Sequence, residues 1–525
     1  AFGVVFVVAS DASRAIGTGH VRRCLALAAA CQALGDEVTF VTRDLGRGMS
    51  GLFSEAGIER WGTLPRPSRT SFISDPTIAH AGWAEVSQEQ DAAETQAAIE
   101  AWSHSSSPAW RPDWIVVDSY AFAARWHRAM ASALGCKIAA IDDLADRDMA
   151  CDILIDHTHA ADHRAKYADV LRTRARVLGG PRFGLLGPAY RDATRYAFHE
   201  SVRSIGIFMG GVDPGDHSTR AREAIGLTGF DGPVEIVTTS ANPTLARLKQ
   251  ATARRPNTKL CVDLPNLAAF FARHDLQIGA GGGASWERCC IGAPTLLCVI
   301  APNQSAVAPK LAQESVVALA TTPSAQGIAE ALMPLINDAD GRRALSQASR
   351  ALVDGRGAER AALAMAAETL TVRPATRADA AMMFEWRNHP STRAVSGTGE
   401  PLVWYAHCEW LDRALTDPMR AVFVGDIGGR GVGVIRFDFS QPRRAEVSLY
   451  CDPDLHGLGL GPALLRAGEE AANPTIVDAR VLEGNTPSQR LFQRGGYRQT
   501  GPTRWEKRRV AAKSDAIATA PGLPA

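Results

Sequence analysis

Ser204-Ile205-Gly206-Ile207-Phe208-Met209, running without a break into Gly210-Gly211-Val212-Asp213, is the stretch on which the fold turns. A short apolar run ending in paired glycines reads as a buried parallel strand and the tight turn that follows it. It is a restart. The chain opens the same way, with Val4–Val8 as a strand and Val21–Leu34 as a helix with apolar positions at helical spacing. Between the two openings Glu37–Thr42, Asp113–Val117, Lys137–Ile141 and Asp152–Ile155 read as strands, separated by longer Ala/Leu-rich stretches. Beyond the restart, strands are predicted near Val234–Val237, Lys259–Val262, Asp275–Ile278 and Pro294–Val299, each followed by a helical stretch. Such alternation predicts an α/β fold of two doubly wound Rossmann-like domains, 1–180 and 181–370. From Thr371 the pattern changes to a mixed α/β unit, 371–510, in which Ala421–Asp426 and Val432–Phe437 flank the Gly428–Gly429 turn. Residues 511–525 are rich in Ala, Pro and Gly and are expected to form a flexible tail.

Composition narrows the function classes. In 525 residues, 46% are apolar and 22% charged, ordinary for a folded protein. Formal charge is 57 − 56 = +1, so no global electrostatic case exists for nucleic acid or an acidic membrane as partner. The run Val4 to Ala9 is too short to span a bilayer and lacks the flanks of a secretion signal. Ten cysteines without paired short spacing fit reduced thiols. A cytoplasmic location is expected.

Three places in the first 370 residues carry chemistry. Asp11-Ala12-Ser13 leads to Ile16-Gly17-Thr18-Gly19-His20, with Arg22 and Arg23 one turn on. Gly17 and Gly19 before a helix allow close backbone approach by a ligand, and the helix start biases His20 toward neutral imidazole, a general base for water. A histidine hydrogen-bonded in the core would look the same from position alone. With Arg at 22 the dinucleotide fingerprint is incomplete. Gly210 and Gly211 place a second glycine turn after a strand, where a phosphate can meet backbone N–H groups. The third is Ile278-Gly279-Ala280-Gly281-Gly282-Gly283-Ala284-Ser285-Trp286-Glu287, where Gly281, Gly282 and Gly283 enter a helix and Glu287 can accept two ribose hydroxyls. The glycines equally permit close helix–sheet packing. Pro302-Asn303-Gln304-Ser305 is expected to open the next helix, with amides suited to sugar hydroxyls or to capping. Two acidic or histidine clusters read as structural: Asp338-Ala339-Asp340 as a helix cap, and His157-Thr158-His159 with Asp162 and His163 as a solvated loop, so no metal is expected.

Taken together, the segments His20-Val21-Arg22-Arg23-Cys24, Val117-Asp118-Ser119-Tyr120, Ile141-Asp142-Asp143-Leu144-Ala145-Asp146-Arg147, Gly210–Asp213, Gly281–Cys290 and Asn303-Gln304 resemble the UDP-sugar hydrolase family of pseudaminic acid biosynthesis, built on the two-domain GT-B fold. The resemblance spans about residues 3–370. It implies hydrolysis of UDP-2,4-diacetamido-2,4,6-trideoxy-β-L-altropyranose, with His20 activating water and Tyr120 and Asn303 holding the sugar. Gly17, Gly19, Asp118, Gly210, Gly211, Gly281, Gly282, Gly283, Ser285, Glu287 and Gln304 would bind substrate and UDP.

In the third unit Asp452-Pro453-Asp454-Leu455-His456-Gly457-Leu458-Gly459-Leu460-Gly461 links a strand, Glu446–Tyr450, to a helix near Pro462. Glycine-lined amides there can hold a pyrophosphate. The segment resembles the acetyl-CoA loop of GNAT-type N-acetyltransferases, and Asn485-Thr486-Pro487-Ser488 with Leu491–Tyr497 resembles that fold's second cofactor motif. The resemblance implies acetyl-CoA as cosubstrate, bound by Leu449, Tyr450, His456, Gly457, Gly459, Gly461, Asn485 and Ser488. His456 stands where Gln or Arg is usual, and Phe492 where many members have a tyrosine acid, so the general acid is unassigned. Glu385-Trp386-Arg387-Asn388 with His407 and Trp410 resembles the acetyltransferase of the same pathway. That implies a UDP-linked amino sugar as acceptor, held by Arg387, Asn388, His407 and Trp410. One chain would then carry two consecutive steps. The alternatives are a GT-B glycosyltransferase with a GNAT unit acting on another amine, and a nucleotide-sugar sensor with a protein acetyltransferase.

Overall fold

The computed structural model describes residues 3–8, 19–43, 49–66, 74–105, 110–301, 304–397 and 399–509, and the chain divides into two compact units, 1–361 and 362–525. The tail assigned to 511–525 lies outside the described residues.

The first unit contains two parallel sheets. Strands β1 (Gly3–Val8), β2 (Glu37–Arg43), β3 (Arg60–Leu64), β4 (Trp114–Val117), β5 (Lys137–Ile141), β6 (Ile153–Asp156) and β7 (Arg176–Gly179) form one in the order β3-β2-β1-β4-β5-β6-β7. Strands β8 (Ile205–Phe208), β9 (Val234–Thr238), β10 (Thr258–Val262), β11 (Leu276–Ala280), β12 (Thr295–Cys298) and β13 (Ala318–Leu319) form the other, ordered β10-β9-β8-β11-β12-β13. Both orders reverse direction beside the first strand of the sheet, so crevices open at β1/β4 and at β8/β11. The central strands are buried along their whole length: β4, β6, β11 and β12 hide every residue. That is why they read as unbroken apolar runs rather than as alternating ones.

In the second unit β14 (Thr371–Pro374), β15 (Arg420–Ile427), β16 (Arg430–Gln441), β17 (Arg444–Cys451), β18 (Ile476–Arg480), β19 (Arg498–Gln499) and β20 (Arg504–Arg508) form a mixed sheet ordered β14-β15-β16-β17-β18-β20-β19. β17 and β18 are its one parallel pair among the described strands. They are bonded only from Arg444 to Val447, whereas β17 stays paired with β16 as far as Cys451. The sheet therefore splays open beside Ser448–Cys451.

Strands β3, β7, β13, β18, β19 and β20 are additions to the sequence reading. β3 and β13 are sheet edges and β19 has only two residues, so none of the three carries a strong apolar run. The ten cysteines are all free thiols. No described helix is long and apolar enough to cross a membrane.

Candidate active sites

At the β1/β4 crevice three side chains converge. His20 begins the helix Gly19–Ala33, and Asp118 follows β4. His20 Nδ1 is 2.7 Å from Asp118 Oδ1, and Arg23 Nε and Nη2 each donate to the same carboxylate at 2.6 Å. A carboxylate only accepts, so Nδ1 carries the proton and the basic lone pair lies on Nε2. The contact of Arg23 Nη2 with Nδ1 at 2.9 Å is then two donors converging on one oxygen. Asp118 is fully buried. Burial alone would raise its pKa, but Arg23 and then His20 hold the carboxyl well below the usual carboxylate range. Its lone pairs are filled from inside the protein. The substrate-contact role assigned to Asp118 therefore gives way to an orienting one.

Tyr120 packs its ring edge-on against His20, with centroids 4.9 Å apart, and its hydroxyl donates to Asp143, which follows β5. Burial opposes ionisation of Asp143, yet Arg23, at 3.8 Å, keeps its pKa below normal. Burial also raises the Tyr120 pKa, so the phenol stays a donor. His80 and Trp83 complete an aromatic wall, at 5.7 and 5.8 Å from the Tyr120 ring. Arg23, Asp143, His80 and Trp83 were not assigned by sequence. An acid just after a buried strand is a readable signal for Asp143; His80 and Trp83 sit in an irregular segment with no periodicity to mark them.

The His157 cluster departs from the solvated-loop reading. His157, directly after the fully buried strand β6, is only 8% exposed. Its ring meets Trp286 in a T-shaped contact at 6.3 Å. His159 Nε2 pairs with Glu314 at 2.6 Å. Asp338 accepts from Gly341 N–H at 2.8 Å and caps its helix.

At the β8/β11 crevice Gly282, with φ of 96°, precedes the helix Gly283–Ile291, and a Cβ on Gly282 or Gly283 would meet nothing within 4 Å. The helix mouth is thus open and carries a partial positive charge, the Ser285 N–H being taken by Gly282 O at 2.9 Å. Burial raises the Glu287 pKa, and Tyr190 and the Arg22 charge act in the opposite direction. Three other assigned residues are engaged internally. Ser285 is buried, its hydroxyl accepting from Arg288 Nη2 at 3.3 Å. Gln304 Oε1 accepts from Ile300 N–H at 3.0 Å while its stem lies over Gly281. Gly211 O accepts from Thr239 Oγ1 at 2.7 Å, and beside Gly210 the amides of His217 and Ser218 are taken by the Asp213 carboxylate. A phosphate has less to bind there than at Gly281–Gly283. Gly17 and Asn303 lie outside the described residues.

In the second unit the splay of β17 leaves the Leu449 and Tyr450 backbone without a ladder partner on the β18 side. His456 is exposed, Gly457 and Gly459 have φ of 86° and 83°, and the helix Leu460–Ala472 starts directly after them. An opened strand edge leading to a glycine-flanked helix mouth fits a ligand that has both amide groups and a pyrophosphate. A Cβ added at Gly461 would meet Leu491 at 3.6 Å, an ordinary contact, so that position faces the helix Thr486–Arg494. Asn485 spends its oxygen capping the helix Thr486–Arg494 on Ser488 N–H, at 3.1 Å. Phe492 is buried against Tyr497, whose hydroxyl donates to Glu469 at 2.7 Å, so neither supplies the missing acid.

Of the four acceptor residues, two turn inward. His407 is buried with Nε2 on Ala380 O at 3.0 Å, and burial lowers its pKa. The Asn388 amide is satisfied at both ends by the Leu402 backbone, at 2.7 and 3.1 Å. Arg387, bonded to Ser396 at 2.6 Å, interacts with Tyr450 and Arg436 instead, and Arg436 lies over the Trp410 ring at 5.6 Å. Among the described residues no cluster of three or more His, Cys, Asp or Glu can hold a metal.

Comparison with known proteins follows the same division. Residues 369–498 match the acetyltransferase (GNAT) domain family. The Bacillus subtilis spore coat polysaccharide biosynthesis protein SpsG is 25% identical over 188 residues, 35% of this chain and 56% of SpsG. The chain thus spans just over half the length of that relative. Among solved structures, Acinetobacter baumannii MurG covers 69% of this chain and 98% of its own, at 14% identity and a TM-score of 0.46. A Listeria monocytogenes protein described as a UDP-N-acetylglucosamine 2-epimerase covers 69% of this chain and 95% of its own, at 14% and 0.45. The aminoglycoside acetyltransferase AAC(6')-Ib, solved with ribostamycin and coenzyme A, covers 28% of this chain and 99% of its own, at 20% and 0.25. Two Rossmann-like parallel-sheet domains are followed in this chain by a mixed-sheet GNAT acetyltransferase domain.

Proposed function

We propose that the first unit hydrolyses a UDP-linked 2,4-diacetamido-2,4,6-trideoxy sugar of the L-altro series to UDP and the free sugar, and that the second acetylates the 4-amino group of its UDP-linked precursor with acetyl-CoA. The observation that carries the hydrolase half is the His20–Asp118 dyad at one crevice of a molecule whose other crevice has an open, glycine-started helix. His20 Nε2 takes a proton from water as the water oxygen attacks the anomeric carbon. The C–O bond to UDP breaks with its electron pair on the phosphate, whose charge the amides of Gly283–Ile291 stabilise. Tyr120, its O–H held by Asp143, accepts from a sugar N–H or hydroxyl, and Glu287 accepts from the ribose. The likeness to SpsG, a spore coat polysaccharide biosynthesis protein, supports a saccharide substrate.

In the second unit acetyl-CoA supplies the acetyl thioester. Leu449 and Tyr450 would hold its amide chain and the 456–461 loop its pyrophosphate, while Arg387 and Trp410 face the amine. The test is mass spectrometry of products from the UDP-4-amino sugar with acetyl-CoA. Wild type should yield UDP and free diacetamido sugar; His20→Asn should stop at the acetylated UDP-sugar. Acetylation without UDP release by wild type overturns the hydrolase half, and a requirement for an acceptor other than water selects a glycosyltransferase.

A further inference from the structure

His157 has no part in the steps above, yet its setting differs from that of a core histidine. His127, in the same unit, is also buried, and its Nδ1 accepts the Ala150 N–H at 3.2 Å. His157 Nδ1 is buried with no hydrogen-bond partner. Folded proteins keep few such atoms, and an unfilled ligand site is one explanation for them. Asp156, just before His157, is pinned through Thr158 N–H and hydroxyl at 2.8 and 2.6 Å, and through Lys166 Nζ at 2.7 Å.

Its neighbours define what would fill the site. The Arg23 charge acts on the ring, and the Trp286 that the ring meets belongs to the first turn of Gly283–Ile291, near the positive end of that helix. The nearby carboxylates are committed: Asp118 to Arg23 and His20, Asp143 to Tyr120, Asp156 to Lys166. Burial first, then Arg23, lowers the His157 pKa to about 4, so the imidazole is neutral and keeps one N–H to give. A group that feels these two positive charges and faces a donor is an anion with lone pairs.

We infer that His157 donates a hydrogen bond from Nδ1–H to an oxygen of the sugar-linked phosphate of a nucleoside-diphosphate sugar, stabilising that phosphate as it leaves. This rests on the hydrolase reading. As the C–O bond breaks, the electron pair goes to the phosphate oxygen and the water proton goes to His20; His157 keeps its own proton and strengthens its bond as charge grows.

The test uses the full chain and the UDP-linked 2,4-diacetamido sugar, comparing His157→Asn, His157→Gln and His157→Phe. An asparagine amide nitrogen falls near the Nδ1 position, whereas glutamine's falls near Nε2. Phe and Gln variants should lose about 10²–10³-fold in kcat with KM within about threefold, the usual effect of losing one transition-state donor. The Asn variant should stay within about tenfold of wild type. Thermal melting and acetyl transfer by the second unit report whether each variant is folded. Wild-type turnover by the Phe variant, or an Asn variant as slow as Gln, overturns the inference alone. A wild-type chain that releases no UDP overturns the hydrolase reading, and the inference falls with it.

Discussion

Asp118→Asn separates two effects that the structure places on one carboxylate. The first is on stability. Asp118 is fully buried and the Arg23 side chain is 11% exposed, with both guanidinium bonds at 2.6 Å. Removing one partner of a buried pair costs about 3–5 kcal/mol because the other charge is stranded. Asp143, 3.8 Å from Arg23, remains as partial compensation, so the loss should fall near the lower end, about 3 kcal/mol. The second effect is on the tautomer. An asparagine can turn its NH₂ toward Nδ1, which then accepts, and the proton moves to Nε2. His20 would keep its position and lose its basic nitrogen. General-base catalysis is worth about 10²–10⁴-fold, and that is the expected drop in the rate of UDP release. Urea unfolding followed by circular dichroism measures the first effect; UDP release at saturating substrate measures the second. Arg23→Met in the Asp118→Asn background should recover much of the stability and none of the rate. An Asp118→Asn enzyme releasing UDP within threefold of wild type would refute the orienting role.

Three further outcomes follow from the same geometry. His127 and His157 have pKa values lowered to about 3 and about 4, against about 6.5 when unfolded. Their stabilising contribution is complete above about pH 6.5 and is lost as pH falls through that value toward the folded pKa, each at up to about 1.4 kcal/mol per pH unit. Urea midpoints at pH 7, 6 and 5 should fall accordingly, and a flat profile rules the coupling out. Gly459→Val forces a β-branched residue to a φ of 83°, at a cost of about 1–2 kcal/mol, and should raise the KM for acetyl-CoA about tenfold or more while leaving UDP release intact. Arg387→Met removes a guanidinium beside Tyr450 and should lower kcat/KM for a UDP-linked amine about 10–100-fold, with little change for the same amine freed of its nucleotide; equal losses for both would exclude a charge-reading role.

Much of the architecture was legible because parallel α/β folds write their core strands as continuous apolar runs. β5 spans Lys137–Ile141 and β14 spans Thr371–Pro374, as the residues alone indicate. The restart at β8 also marks where a second sheet begins. One edge strand escaped detection for the converse physical reason. β3, Arg60–Leu64, buries only its last residue, so its pattern carries little apolar signal. The position of His20 at a helix mouth was legible too, since local sequence places it there. Its partners were a different matter: Asp118 is 98 residues away, and only the sheet order β1-β4-β5 makes their strands neighbours.

Charge placement explains why some assigned residues turned inward. Asn388 and His407 carry groups that hydrogen-bond strongly to backbone, and each found one when its helix packed: Leu402 for the first, Ala380 for the second. Arg387 found a serine hydroxyl but no carboxylate, and remains beside a second guanidinium, that of Arg436. Sequence ranks these residues equally, because donors and acceptors look alike until their partners are known. What distinguishes a ligand-binding side chain is a polar atom that folding leaves unsatisfied, or a charge that it leaves unpaired. By that measure His157, read from sequence as part of a solvated loop, belongs with the ligand-facing groups of the first unit. Asp118, read as a substrate contact, belongs with the groups that fix His20 in place.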